Sequence, residues 1–189
     1  GKTTIDGKEY KLPFIKRIVL PQIPDESTRL AAIQTGKGDI HEAVRWHYRD
    51  TLAKTNPQLK VFKVLADGAP VIGMRFDTAP FDNMKVRRAM NLALDRKAII
   101  DSQYGGEAVV LNWPFSMRWP KTIYTALEEY PQETRDLFTY NPQRAKQLLA
   151  EAGYPNGFKT SVITTDSGDL IDMCSVIKDY WSKIGVDLE

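Results

Sequence analysis

The sequence predicts a mixed α/β chain, an α+β arrangement of short β runs between amphipathic helices. Three observations predict it. Stretches such as residues 59–65 (LKVFKVL) alternate with the two-residue period of a strand. Val86, Ala89, Met90, Ala93 and Leu94 recur at i, i+3, i+4, i+7 and i+8, the buried stripe of a helix. Capping residues bound such stripes, with Asp or Asn before them and Gly after them.

The elements follow in order. Residues 14–23 (FIKRIVLPQI) are expected to form a strand, which Pro21 places at an edge or a bulge. Asp25 caps a helix over 27–35 with Leu30 and Ile33 on one side, and Gly36 stops it. Asp39 and Ile40 make a short extended piece. A helix over 46–55 ends at Asn56-Pro57, and strands are expected over 59–65 and 71–76 (VIGMRF). Asp82 caps a helix running from Met84 to Leu94. Asp95 caps the next, with Ile99 and Ile100 inward and Gly105-Gly106 at its end. Residues 106–139 read as one long irregular segment, of a kind that is uncommon inside a domain and often functional. Asn141-Pro142 opens the clearest helix, because Asn caps well and Pro at the first helical position loses no hydrogen bond. Its stripe is Ala145, Leu148, Leu149 and Ala152, and Gly153 is its stop. A strand is expected over 159–164. A helix then carries Leu170, Met173, Cys174, Ile177, Trp181 and Ile184, and after Gly185 a last strand begins.

The length of 189 residues suits one large domain or two small ones, and the best internal boundary lies at 66–71 (ADGAPV). Twenty-six Lys and Arg face twenty-four Asp and Glu, a net charge of +2. Phosphate-held nucleic-acid binders need a larger, clustered surplus, so no nucleic-acid partner is expected. A single cysteine, Cys174, excludes an internal disulfide. His41 and His47 stand six apart, without the i, i+4 spacing of helical metal ligands, so no metal site is expected. No apolar run reaches the roughly 20 residues that span a bilayer, and the opening residues do not read as a charged run followed by an apolar one, so no targeting signal is expected within these residues. The chain opens on a polar run and stops as a strand begins, so a piece of a longer protein is expected.

Catalytic motifs do not stand out. There is no GxxxxGK[ST] phosphate loop, no GxGxxG after a strand and no GxSxG elbow. Cys174 lies on an apolar stripe, the setting of an inert thiol. Lys85, Arg87 and Arg88 read as the solvated face of their helix. The reading is a protein that is not an enzyme and needs no cofactor. Trp113, Phe115, Trp119, Tyr124 and Tyr130 crowd the irregular segment, where they either line a cleft or anchor the loop to the body.

Three ordered motifs carry a family resemblance. Pro24-Asp25-Glu26-Ser27-Thr28-Arg29 with Thr35-Gly36-Lys37-Gly38-Asp39-Ile40 resembles the PDxSTRxxxLxxGxxDI stretch of family 5 extracellular solute-binding proteins. The run from Ala79 to Ile100 is similar to that family's PPFxDxRVRRAxxxAIDRxxI helix. Tyr140-Asn141-Pro142 with the run from Ala145 to Tyr154 is similar to its YNPxKAKxLLxEAGY helix, and Trp181 to Val186 to its closing IGI segment. The resemblance implies a partial periplasmic-binding-protein fold of type II, with parts of two lobes. It implies residues 1–70 as a portion of the first lobe and 71–189 as a crossing strand and the start of the second. It also implies an extracytoplasmic receptor, periplasmic or a cell-surface lipoprotein, that captures peptides or similar small solutes in an inter-lobe cleft. Its partners would be the permease subunits of an ABC importer.

Position then suggests site residues. Met74, Arg75 and Phe76 lie on the implied crossing strand, Asn112 and Trp113 open the aromatic loop, and Trp46 faces from the first lobe. Arg75 would meet a carboxylate, since a buried ligand charge needs an opposite one; Trp113 would stack. Two other readings stand beside this one: a stand-alone intracellular α/β enzyme or regulatory domain, and a self-associating interaction module.

Overall fold

The computed structural model describes residues 1–65, 68–110 and 114–189. Its first element is a hairpin, β1 (Lys2–Ile5) and β2 (Lys8–Lys11), antiparallel with Thr3 opposite Tyr10. Asp6 and Gly7 both take positive φ, as a two-residue turn with strand-matching twist requires. The sequence reading has no hairpin here, although Asp-Gly between short alternating runs is its usual signal.

Helix α1 (Glu26–Gln34) starts as expected. The Asp25 carboxylate accepts from the Thr28 amide and from the Ser27 and Thr28 hydroxyls. These bonds lower the Asp25 pKa to about 2. A short 3-10 turn (Trp46–Tyr48) runs into α2 (Arg49–Thr55). Helix α3 (Met84–Leu92) ends slightly short of the expected Leu94. Its cap is Asn83, which accepts from the Lys85 amide, rather than Asp82. Asp95 caps α4 (Arg96–Tyr104), which closes on left-handed Gly105. The segment expected to be irregular holds a 3-10 turn (Leu127–Glu129) and a short α5 (Gln132–Asp136). Asn141 caps α6 (Pro142–Glu151) through the Arg144 amide. Then come β3 (Phe158–Thr160), α7 (Gly168–Ser182) and β4 (Val186–Leu188).

Strands β3 and β4 pair in parallel, Phe158 opposite Val186, with α7 as the crossover. The pair can start so closely because Gly157 and Gly185 lack side chains; a Cβ on Gly157 would strike the Gly185 carbonyl. The core lies in this part of the chain. Helix α3 packs along α6, and Val86, Met90, Leu149, Ile177, Trp181 and Val186 are almost wholly buried. The Trp181 indole N–H donates to the Met90 carbonyl at 3.0 Å, joining α7 to α3 and satisfying the buried donor. Cys174 is a free thiol and half-buried, rather than buried as its place on the apolar stripe suggested.

Three expected strands are absent among the described residues. Residues 14–23, 59–65 and 71–76 carry no ladder, and β3 stops at Thr160 rather than Thr164. A strand needs a neighbouring strand to satisfy its backbone, and no ladder pairs with these runs among the described residues. Their apolar residues stand in the open, with Phe62 83% and Leu20 84% exposed. The crossing strand implied over 71–76 is therefore corrected to an unladdered segment, although Met74 within it packs against the core.

Candidate functional site

The motif residues build scaffold before anything else. Arg29 donates to the carbonyls of Ile23 and Pro24, both at 2.7 Å, and clasps the chain that enters α1. Arg87 does the same for α3, donating to the carbonyls of Phe81 and Asp82 at 2.6 and 3.1 Å. Arg87 is thus half-buried and occupied, not a free cation on a solvated face. Lys85 pairs with Glu151 of α6 at 2.9 Å, and only Arg88 of the three keeps an exposed face without an ion pair among the described residues. Arg96 lies over the Phe138 ring and donates to the Asn91 carbonyl and side chain. Burial lowers its pKa from the usual arginine value.

A cavity of about 460 Å³ opens between α3, α6 and the end of α5. Three of its polar groups have partners: Asn141 caps α6, Arg144 meets Glu151, and Asp136 accepts from Gln132, while Arg88 lines it without an ion pair among the described residues. Of the ligand-contact candidates among the described residues, Trp46, Met74, Arg75 and Phe76 do not line it. A cleft for a charged ligand needs several unpaired converging groups, and Arg88 alone does not supply them.

The residues singled out lie as follows. Arg75 is 77% exposed at its side chain and bonds Asp77 in a fork, 3.3 Å from Nε and 2.9 Å from Nη2. That bond lowers the Asp77 pKa, and it makes Arg75 a surface ion pair. Phe76 beside it is exposed. Asn112 and Trp113 lie outside the described residues. Trp46 packs on the end of α4: a Cβ on Gly105 would stand 2.8 Å from its ring.

Around Trp46 the structure gathers charges that the sequence reading missed. The Arg45 Nε faces Glu26 of α1 at 3.2 Å and also Asp169 of α7, while Nη1 faces Asp172 at 3.0 Å. Arg45 is only 22% exposed at its side chain. Lys63 and Arg49 converge on Glu107, whose pKa is lowered by the Lys63 hydrogen bond first and the Lys63 charge second. Burial raises the Tyr104 phenol, and the nearby Asp169 charge adds to it. No spacing rule links residue 45 to residue 172, so no sequence signal could have found this seam. The arrangement holds charge by ion pairing and positions no nucleophile beside a base among the described residues.

The comparisons agree with this scaffold. The profile of "Bacterial extracellular solute-binding proteins, family 5 Middle" matches residues 8–189. Heme-binding protein A of Haemophilus influenzae is 37% identical over 179 residues, which is 91% of this chain and 30% of that protein. The glutathione-binding protein GsiB of Pectobacterium atrosepticum is 32% identical over 151 residues, 80% of this chain and 27% of that protein. The ABC transporter-associated periplasmic binding protein DppA from Helicobacter pylori, solved with the peptide STSA, superposes with a TM-score of 0.70. Identity there is 29%, over 89% of this chain and 31% of that one. The chain spans about a third or less of the length of these relatives. Its fold is that of part of a type II periplasmic binding protein, and it belongs to the family 5 bacterial extracellular solute-binding proteins.

Proposed function

We propose that this chain is the middle part of the substrate-binding receptor of an ABC importer, a protein without catalytic activity. The receptor works outside the cytoplasm and takes peptides or similar small solutes in a cleft between two lobes. The observation that carries the reading is the superposition, at a TM-score of 0.70, on a peptide-bound periplasmic binding protein. The family match over 8–189 supports it against a stand-alone intracellular enzyme. Its partners are then the permease subunits of the importer.

In this reading residues 1–70 belong to the first lobe, and 71–189 cross into and begin the second. The concentration of buried apolar residues between Val86 and Leu188 supports that division. Trp46, Arg75, Phe76, Asn112 and Trp113 remain the ligand-contact candidates. A peptide has charged termini, and burying them requires opposite charges and hydrogen bonds. Arg75 can leave Asp77 for a ligand carboxylate, because a surface pair of this kind contributes only about 0.2–1 kcal/mol.

Calorimetry on the full-length receptor tests the reading, with short peptides, glutathione and heme as separate titrants. Micromolar binding of a peptide is the expected result. Binding of heme alone, or of none of the three, would contradict the peptide assignment. Half a cleft leaves ligand groups in water, so the 189-residue chain by itself should bind no tighter than about millimolar, roughly −4 kcal/mol. In the full-length receptor, Trp113→Ala should weaken peptide binding and leave the melting temperature nearly unchanged.

A further inference from the structure

The seam around Arg45 joins stretches far apart in the chain. Residues 26–63 contribute Glu26, Arg45, Trp46, Arg49 and Lys63; residues 105–172 contribute Gly105, Glu107, Gly168, Asp169 and Asp172. Cations come from the first stretch. Except for Glu26 and for Asp50, which pairs with Arg49 at 2.9 Å, the carboxylates come from the second. Two glycines mark where the stretches approach most closely. A Cβ on Gly168 would run into the Arg45 guanidinium, and one on Gly105 would enter the Trp46 ring. Apart from Trp46 and Tyr104 the contact is polar, and none of its ion-paired residues belongs to the core cluster of α3, α6 and α7. Small polar contacts between parts of one chain are where relative motion is expected.

We propose that Arg45, clamped by Glu26, Asp169 and Asp172, is an ionic latch that closes residues 1–70 onto residues 71–189. The latch rests on the two-lobe reading above and adds the residue that holds the lobes together. Glu26 aims the guanidinium from its own side, and Asp169 and Asp172 receive it from the first turns of α7. One guanidinium among three carboxylates leaves a negative surplus, so removing Arg45 converts attraction into repulsion across the seam. Salt weakens such a contact more than it weakens an apolar one. Gly105 is a positioning residue in this device, because a side chain there would press on the Trp46 ring, and a side chain at Gly168 would displace the Arg45 guanidinium.

Pulsed electron-spin distance measurement on the 189-residue chain tests the latch. Spin labels at Ala31 on α1 and Lys178 on α7, with Cys174→Ser, report the separation of the two stretches. The labelled parent chain, diluted in unlabelled chain so that only intramolecular distances are read, should show one short, narrow distance distribution at low salt. In Arg45→Glu the short-distance fraction should fall by about half or more. Asp169→Asn with Asp172→Asn, which leaves Arg45 in place, should open the seam in the same direction. Arg45→Glu combined with Asp169→Arg and Asp172→Arg should restore the short distance. An unchanged distribution in Arg45→Glu, or no recovery in the charge-reversed chain while far-ultraviolet circular dichroism stays that of the parent, would overturn the latch. That result leaves the ligand reading standing, since calorimetry on the full-length receptor judges it separately.

Discussion

Residues 84–189 and residues 1–65 obey the same sequence grammar and reach different ends. The later stretch buries Val86, Met90, Leu149, Ile177, Trp181 and Val186 in one cluster. Of the earlier stretch only Leu30 is a buried hydrophobic residue, while Ile18, Leu20, Val61, Phe62 and Val64 face solvent. Short runs rich in apolar residues occur in both. The difference is that β3 and β4 have each other, whereas 14–23 and 59–65 have no strand beside them among the described residues. A helix satisfies its own backbone, and a strand depends on what lies next to it.

The largest test of this contrast is truncation of the two kinds of apolar residue. Leu149→Ala, at 1% exposure, should cost about 2–5 kcal/mol in denaturant unfolding. Phe62→Ala, at 83% exposure, should stay within about 0.5 kcal/mol. Equal losses would mean that the earlier stretch has a core of its own. Next in size is Trp181→Phe, which removes the bond to the Met90 carbonyl and should cost about 1–3 kcal/mol.

The exposed stretch gives a test of another kind. Apolar patches of this extent drive association, so sedimentation should show a mass that rises with protein concentration. Replacing Phe62 and Val64 with Ser should lower that rise; a strict monomer in the parent chain would contradict the exposure of 59–65.

What the sequence made legible follows the same division. Helices α1, α3, α4, α6 and α7 were readable because cap, stripe and stop are local: Asp25, Asp95 and Asn141 cap as expected. The family motifs were readable too, and the structure explains them as scaffold, through the Arg29 and Arg87 clasps and the Arg96–Asn91 bond. The failed strands were unreadable because their partners are not encoded nearby. The Asn83 cap was missed because Asp82 and Asn83 are both good caps, and the backbone chose between them. For the candidate site, sequence position singled out Trp46 as a ligand contact but could not supply its neighbour Gly105. Arg45 drew no attention, since its partners lie 19, 124 and 127 residues away.

The smallest effect is the pH response of α1. Asp25 has its folded pKa lowered from 3.8 to about 2 by the Ser27 and Thr28 bonds. Its contribution is therefore complete above the unfolded value and is lost as pH falls through about 2. Helicity of α1 should decline over that acid window, followed by site-resolved amide signals of Thr28. Asp25→Asn keeps a capping oxygen and should remove this part of the response.

Amide hydrogen exchange on the 189-residue chain, read segment by segment, tests the contrast most directly. The account predicts strong protection in α3, α6, α7 and β4, and exchange at nearly free rates in 14–20 and 59–65. Protection of 59–65 at the level of α6 would contradict it, because those amides would then have the partners that the fold denies them.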